Sequence, residues 1–200
     1  MIKIGIIDYG VGNIHSLNKS FKAIGCRSIK SYQTSILEKC DIIVLPGVGS
    51  FGYAMKKLIN SNLDKFIIDQ SKKKKPIIGI CLGMQLLTDK SEENGEHHGL
   101  GIIPGEIKRN SNLDYHIGWN NIEVNKKKSF IKRFNNHEFF FNHGYAFKGH
   151  SRYIESIAYF GESFPSTISK GKTIGFQFHP EKSQKAGLAL LKSTINHLIK

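Results

Sequence analysis

The chain predicts an α/β fold: a three-layer sandwich with a mixed, partly parallel central sheet and helices on both faces. In its first half, the short apolar runs Asp41–Leu45 and Pro76–Ile80 alternate with amphipathic segments, as strands buried on both faces between crossover helices should. After Gly99 the pattern changes to strand-like stretches separated by turns, which adds antiparallel strands to the sheet.

Taken in order, Lys3–Ile7 is a strand. It is too short, and too soon ended by Asp8, for a signal peptide or an anchor. Asn13–Ile24 is a helix with Ile14, Leu17, Phe21 and Ile24 on one face and a C-cap signal at Gly25. Tyr53–Ile59 and Leu63–Gln70 read as helices. Glu106–Arg109, Asn121–Val124, Glu138–Phe147, Arg152–Phe160 and Thr173–His179 read as strands, and a closing helix carries Leu188, Leu191, Ile195 and Leu198. With no internal repeat and no linker, residues 1–200 read as a single domain, long enough for a core between sheet and helices.

Composition excludes several classes. Hydrophobic residues make up 40% of the chain, and no uninterrupted apolar stretch approaches the ~20 residues of a membrane helix. No membrane partner is expected, and the expected location is cytoplasmic. Cys26, Cys40 and Cys81 are odd in number and form no CxxC pair, which argues against a disulfide framework and a zinc site. The net charge of +13 comes mostly from Lys, and the run Lys72–Lys75 reads as a solvated helix end. Without a recognition motif, a nucleic-acid partner is not expected. His97 and His98, among Glu92, Glu93 and Glu96, read as a solvated polar loop without ligand spacing, so no metal is expected.

The chemistry gathers in three short stretches. Gly47-x-Gly49-x-x-Gly52 follows a strand and opens a helix, the layout of a dinucleotide loop, but the next strand ends in Cys81 rather than in the acidic residue that would bind a ribose. In "GICLGMQLL", Gly79-x-Cys81-x-Gly83 between strand and helix has the pattern of a nucleophile elbow with sulfur in place of oxygen. A thiol there sits at a helix N-terminus, where partial positive charge favours the nucleophilic thiolate. Cys26 and Cys40 lack such glycines and fit buried apolar thiols better. In "GFQFHPE", alternation puts Gln177 and His179 on one side of a strand, opposite Phe176 and Phe178, and an extended step past Pro180 returns Glu181 to the side of His179. An imidazole oriented by a carboxylate is what a cysteine nucleophile needs, so Cys81, His179 and Glu181 form a candidate triad.

Together "LPGVGSFG", "GICLGMQLL" and "GFQFHPEKS" resemble the class I glutamine amidotransferases, which hydrolyse glutamine to glutamate and ammonia through Cys, His and Glu. "IDYGVGNIHSL" and "HIGWN" look like the glutaminase subunit of imidazole glycerol phosphate synthase, and the likeness covers essentially the whole chain. Where histidine-pathway members usually carry Val-His-Ser-Tyr, this chain has Asn142-His143-Gly144-Tyr145, closer to carbamoyl phosphate synthetase glutaminase domains. Tyr115 and Ile117 replace the usual Pro and Met. A paralogue supplying ammonia to surface-sugar synthesis and a stand-alone cysteine hydrolase are the alternative readings.

The resemblance implies an oxyanion hole of the Val48 or Gly49 amide with that of Leu82, set up by Gly47. It implies glutamine contacts at Gln85 and around Asn142, His143, Gly144 and Tyr145. No cofactor is implied. The implied partner is a (β/α)8-barrel cyclase that receives the ammonia and yields imidazole glycerol phosphate and aminoimidazole carboxamide ribonucleotide, with Asn13, Trp119 and Lys182 near the interface.

Overall fold

The computed structural model describes residues 1–109, 115–124 and 126–200. The first elements are β1 (Lys3–Ile7), α1 (Ile14–Ala23), β2 (Arg27–Ser31), α2 (Thr34–Leu37), β3 (Ile42–Leu45), α3 (Phe51–Asn60), α4 (Leu63–Lys72), β4 (Ile77–Ile80) and α5 (Leu82–Leu86). Then come β5 (Lys90–Ser91), β6 (His97–His98), β7 (Glu106–Arg109), β8 (His116–Asn121), β9 (Glu138–His143), β10 (Tyr145–Lys148), β11 (Ile154–Phe160), β12 (Glu162–Lys170), β13 (Thr173–Phe176) and α6 (Gln184–Leu198).

The central sheet has the order β11-β12-β13-β4-β3-β1-β2. The five strands from β13 to β2 are parallel, and β12 and β11 add antiparallel pairs, as the change of pattern along the chain predicts. Alternation along the strands makes two cores. On one face Ile4, Ile6, Ile42, Val44, Ile78 and Ile80 pack with Leu17 and Phe21 of α1 and with Leu190, Leu191, Ile195 and Leu198 of α6. On the other, Ile7, Ile43, Leu45 and Ile77 pack with Phe51, Ala54 and Leu58 of α3, Leu63 and Ile67 of α4, and Leu82 and Met84 of α5. Each such side chain contributes about 1.5–3 kcal/mol when fully buried. Helix α1 ends as its glycine predicts: Gly25 has φ +82° and the Cys26 N–H donates to the Phe21 carbonyl at 2.9 Å.

Several expectations need correction. Arg27-Ser-Ile-Lys-Ser31 forms β2 at the sheet edge, where one-sided burial does not require an apolar run. β12 is a strand not expected from the sequence; its Pro165 sits where the β11–β12 register shifts around Ser156. Glu138–Phe147 is two strands broken at Gly144: β9 pairs with β8, whereas β10 pairs with β7 in another sheet. The expected strand Asn121–Val124 lies mostly beyond the end of β8, with Ile122 and Val124 buried and Glu123 bridged to Ile157. The buried face of α6 is Leu190, Leu191, Thr194, Ile195 and Leu198, with Leu188 at its margin. His97 and His98 form β6 against β5 rather than a loop; His98 is exposed, as expected, whereas the His97 ring covers Gly52.

This topology prepares one place for chemistry. Parallel pairing aligns Leu45 with Gly79 and Ile80 with Phe176, so β3, β4 and β13 end side by side. Their next residues, Pro46–Gly49, Cys81 and Gln177–His179, emerge together at the carboxyl edge of the sheet, where α/β folds place ligands.

Candidate active site

Cys81 occupies the turn between β4 and α5 with φ 53° and ψ −114°, a conformation L residues avoid. Its N–H donates to the Phe176 carbonyl at 2.7 Å, tying the turn to β13. The glycine two residues on has a steric reason. A Cβ on Gly83 would lie 1.9 Å from the Leu45 carbonyl oxygen, so any side chain would force α5 away from β3. The Cys81 sulfur is buried and lies 3.7 Å from the Asn142 carbonyl oxygen, to which the thiol donates when protonated.

His179 follows β13, and its N–H donates to the Phe140 carbonyl at 2.8 Å. Its Nδ1 lies 2.8 Å from Glu181 Oε1, and both side chains are only 2% exposed. Because a carboxylate only accepts, Nδ1 carries the proton and Nε2 is left for the sulfur. Burial pushes this imidazole's pKa down. The charge of the Cys81 sulfur, then the hydrogen bond and charge of Glu181, outweigh it and hold the pKa above the ordinary histidine value. The route by which Glu181 reaches His179 differs from expectation: Pro180–Lys182 is a 3-10 turn, not an extended step. Proline at the first position suits that turn.

Unused amides belong to residues that line the same cavity as Cys81. Among the described residues the N–H groups of Val48, Gly49 and Leu82 have no partner within the chain. Gly49 has φ +92°, and a Cβ on Gly47 would lie 2.7 Å from the Gly83 nitrogen, so Gly47 permits the close approach of this loop to α5. Of the Gly47-x-Gly49-x-x-Gly52 pattern, Gly47 is thus packed against the start of α5 and Gly52 against the His97 ring.

These groups enclose a cavity of about 80 Å³ lined by Val48, Gly49, Cys81, Leu82, Gln85, Glu93, Tyr115, Asn142, His143, Gly144, Tyr145 and His179. The wider surface grooves, about 790 and 940 Å³, lie at the opposite end of the sheet and beside α1, and neither contains the Cys81–His179 pair. Gln85 Nε2 donates to the Tyr145 carbonyl at 3.0 Å and to Gln177 Oε1 at 3.2 Å. With both amide protons committed, its carbonyl oxygen is the atom left for a ligand. His143 turns its side chain into the core. Nδ1 donates to the Tyr145 carbonyl at 2.9 Å, the ring packs edge-on against Phe164, and burial lowers its pKa to about 3. Its contribution to the cavity is thus the shape of the chain around Gly144.

Sequence reading missed Glu93 and Tyr115. The segment holding Glu93 looks like a polar loop, but its Oε2 accepts from the Phe51 N–H at the start of α3 at 2.7 Å, a contact 42 residues distant in sequence. The expected interface residues are spread along the same end. Trp119 is 45% exposed with its ring steeply inclined to that of Phe140, and Lys182 Nζ lies 5.5 Å above the Phe140 ring. Asn13 caps α1 by accepting from the Ser16 N–H at 3.3 Å.

The profile of the family "Glutamine amidotransferase class-I" matches residues 5–197. The chain is 42% identical over 195 residues to the imidazole glycerol phosphate synthase subunit HisH of Aquifex aeolicus, covering 94% of this chain and 93% of that one. It is 40% identical over 192 residues to the subunit of the same name from Carboxydothermus hydrogenoformans, covering 94% and 96%. Among solved structures, PurLQS from Thermotoga maritima superposes with a TM-score of 0.78 at 16% identity over 98% of this chain and 99% of that one. A glutamine amidotransferase crystal structure gives 0.76 at 18% identity over 94% and 96%, and both show likeness of fold. The chain belongs to the class-I glutamine amidotransferases.

Proposed function

We propose that this chain is the glutaminase subunit of an imidazole glycerol phosphate synthase, hydrolysing glutamine and passing the ammonia to a partner in histidine biosynthesis. The observation that carries this reading is the buried Glu181–His179 pair opposite Cys81 at the mouth of unused amides. Cys81 gives its proton to His179, and the sulfur adds to the side-chain amide carbon of glutamine. The negative oxygen that forms is met by the amides of Leu82 and of Val48 or Gly49; such a donor is worth roughly 2.7–4 kcal/mol. The imidazolium protonates the departing nitrogen, ammonia leaves, and a thioester remains. His179 then takes a proton from water, whose hydroxide adds to the thioester carbon, and the sulfur departs to release glutamate. Glu181 keeps the ring oriented and its charge balanced throughout. No step calls for a cofactor.

At the other end of the substrate, the carboxylate of Glu93 and the free carbonyl of Gln85 offer acceptors to the α-ammonium group of glutamine. The names of the curated relatives favour the histidine pathway over a surface-sugar paralogue and over a stand-alone hydrolase. A (β/α)8-barrel cyclase is the proposed acceptor. Its docking face would include the exposed side chains of Ile117 and Trp119 beside Tyr115 at the cavity mouth, with Asn13 and Lys182 at the margin. Residues 1–200 are proposed to act as one domain in the cytoplasm. The test is glutamate release by the purified chain with and without the cyclase and its ribonucleotide. Activation by that pair supports the pathway, and unchanged activity argues against it.

A further inference from the structure

Beyond Ile7 the chain turns through Asp8-Tyr9-Gly10-Val11-Gly12 before α1 begins. Tyr9 is buried there, and its hydroxyl donates to the Pro46 carbonyl at 2.7 Å. Pro46 is where the chain leaves β3 for Gly47-Val48-Gly49. The same turn supports the proline ring, since a Cβ on Gly12, whose φ is +119°, would lie 2.8 Å from the Pro46 Cβ. One turn thus holds Pro46 by its ring and by its carbonyl.

The Pro46 carbonyl and the Gly47 N–H belong to one planar peptide, so fixing the carbonyl fixes the plane and the direction in which the next residues set off. Among the described residues the Tyr9 bond is the hydrogen bond that holds the main chain of Pro46–Gly49. Burial and the charge of the nearby Cys81 sulfur both raise the tyrosine pKa, so the phenol remains a donor wherever the thiol is used.

We infer that Tyr9 is a positioning residue of glutamine hydrolysis: through the Pro46 carbonyl its hydroxyl aims the Val48–Gly49 amides at the oxygen of the tetrahedral intermediate. The inference rests on the glutaminase reading above. Donors aimed at that oxygen act in the transition state more than in the bound substrate, so loosening their aim lowers kcat and leaves KM in place. Outright loss of one donor costs about 10²–10³ in kcat, and a loosened one costs less, about tenfold.

The test is Tyr9→Phe in the full chain, assayed alone and with the cyclase. Expected are a kcat about tenfold lower with KM within about twofold, faster amide deuterium exchange over residues 46–49, and an unchanged rate of Cys81 alkylation by iodoacetamide, a displacement that forms no oxyanion. A wild-type kcat, unchanged exchange, or a parallel loss of kcat and alkylation overturns the inference. Should Tyr9→Phe not fold, 4-aminophenylalanine in place of Tyr9 keeps a donor and 4-methylphenylalanine fills the same space without one; loss in kcat with the methyl group alone supports the inference, and equal kcat in the two overturns it. Glutamate release by Cys81→Ala would instead overturn the glutaminase reading on which it rests.

Discussion

Glu181 Oε1 accepts a hydrogen bond from His179 Nδ1 at 2.8 Å, in a pair whose side chains are both closed to solvent. The carboxylate fixes the tautomer that leaves Nε2 for the sulfur, and its charge adds to that of Cys81 in raising the imidazole pKa against the cost of burial. Glu181→Gln keeps the shape and removes the charge. The imidazolium pKa should fall, the alkaline limb of the kcat profile should move to lower pH, and kcat at its optimum should drop by about 10². The measurement is a pH–rate profile of glutamate release for both proteins.

The backbone at Cys81 carries strain that the proposed role of nucleophile accounts for. A φ of 53° with ψ −114° costs an L residue on the order of 1–3 kcal/mol and costs glycine little. Cys81→Ala and Cys81→Gly should both abolish glutamate release. Cys81→Gly should be the more stable of the two by about 1 kcal/mol, despite the greater freedom of glycine in the unfolded chain. Urea unfolding of the two variants decides it.

Glu93 has a carboxylate within the cavity and caps α3 from outside that helix. Glu93→Gln retains an oxygen for the Phe51 N–H but loses the charge proposed to meet the substrate's ammonium group. KM for glutamine should rise about tenfold or more with kcat changed little, as expected for loss of a charge-assisted hydrogen bond worth ~1.5–3 kcal/mol. Steady-state kinetics with the unfolding midpoint as control will show whether the effect is on binding.

Acid should unfold the protein partly through His143. Burial first, then its neighbours His116 and His179, lower its folded-state pKa to about 3, below the ordinary 6.5. Between these values the unfolded chain takes up a proton that the folded chain refuses. The contribution is fully present above about pH 6.5 and is lost as pH falls toward 3, by at most ~1.4 kcal/mol per pH unit. His143→Gln should therefore be less stable at pH 7 yet show a shallower decline between pH 6.5 and 4, measured by denaturant unfolding across that range.

What sequence could reveal followed the physics of each element. Ile42–Leu45 and Ile77–Ile80 were legible because burial on both faces demands unbroken apolar runs, and Cys81 because small residues must crowd a nucleophile turn. Edge strand β2 was not, since one-sided burial leaves a mixed pattern, and β12 hid behind Pro165. In the site, Cys81, His179 and Glu181 stand within short motifs. Glu93 acts through a contact with Phe51, far along the chain, and no local pattern records such a pairing. Glu181 does reach His179, but through a 3-10 turn begun by Pro180, where strand alternation no longer applies.

The three strands that end together also limit how this site can change over evolutionary time. Neighbouring parallel strands can slide only in whole ladder steps, each ~3.3 Å per residue, and a single step reverses which face every side chain occupies. With Leu45 opposite Gly79 and Ile80 opposite Phe176, fine adjustment between sulfur, ring and amides is therefore closed to the sheet itself. Variation in rate or specificity among descendants of this chain must be sought in the bends beyond the strand ends, where substitutions act in fractions of an ångström.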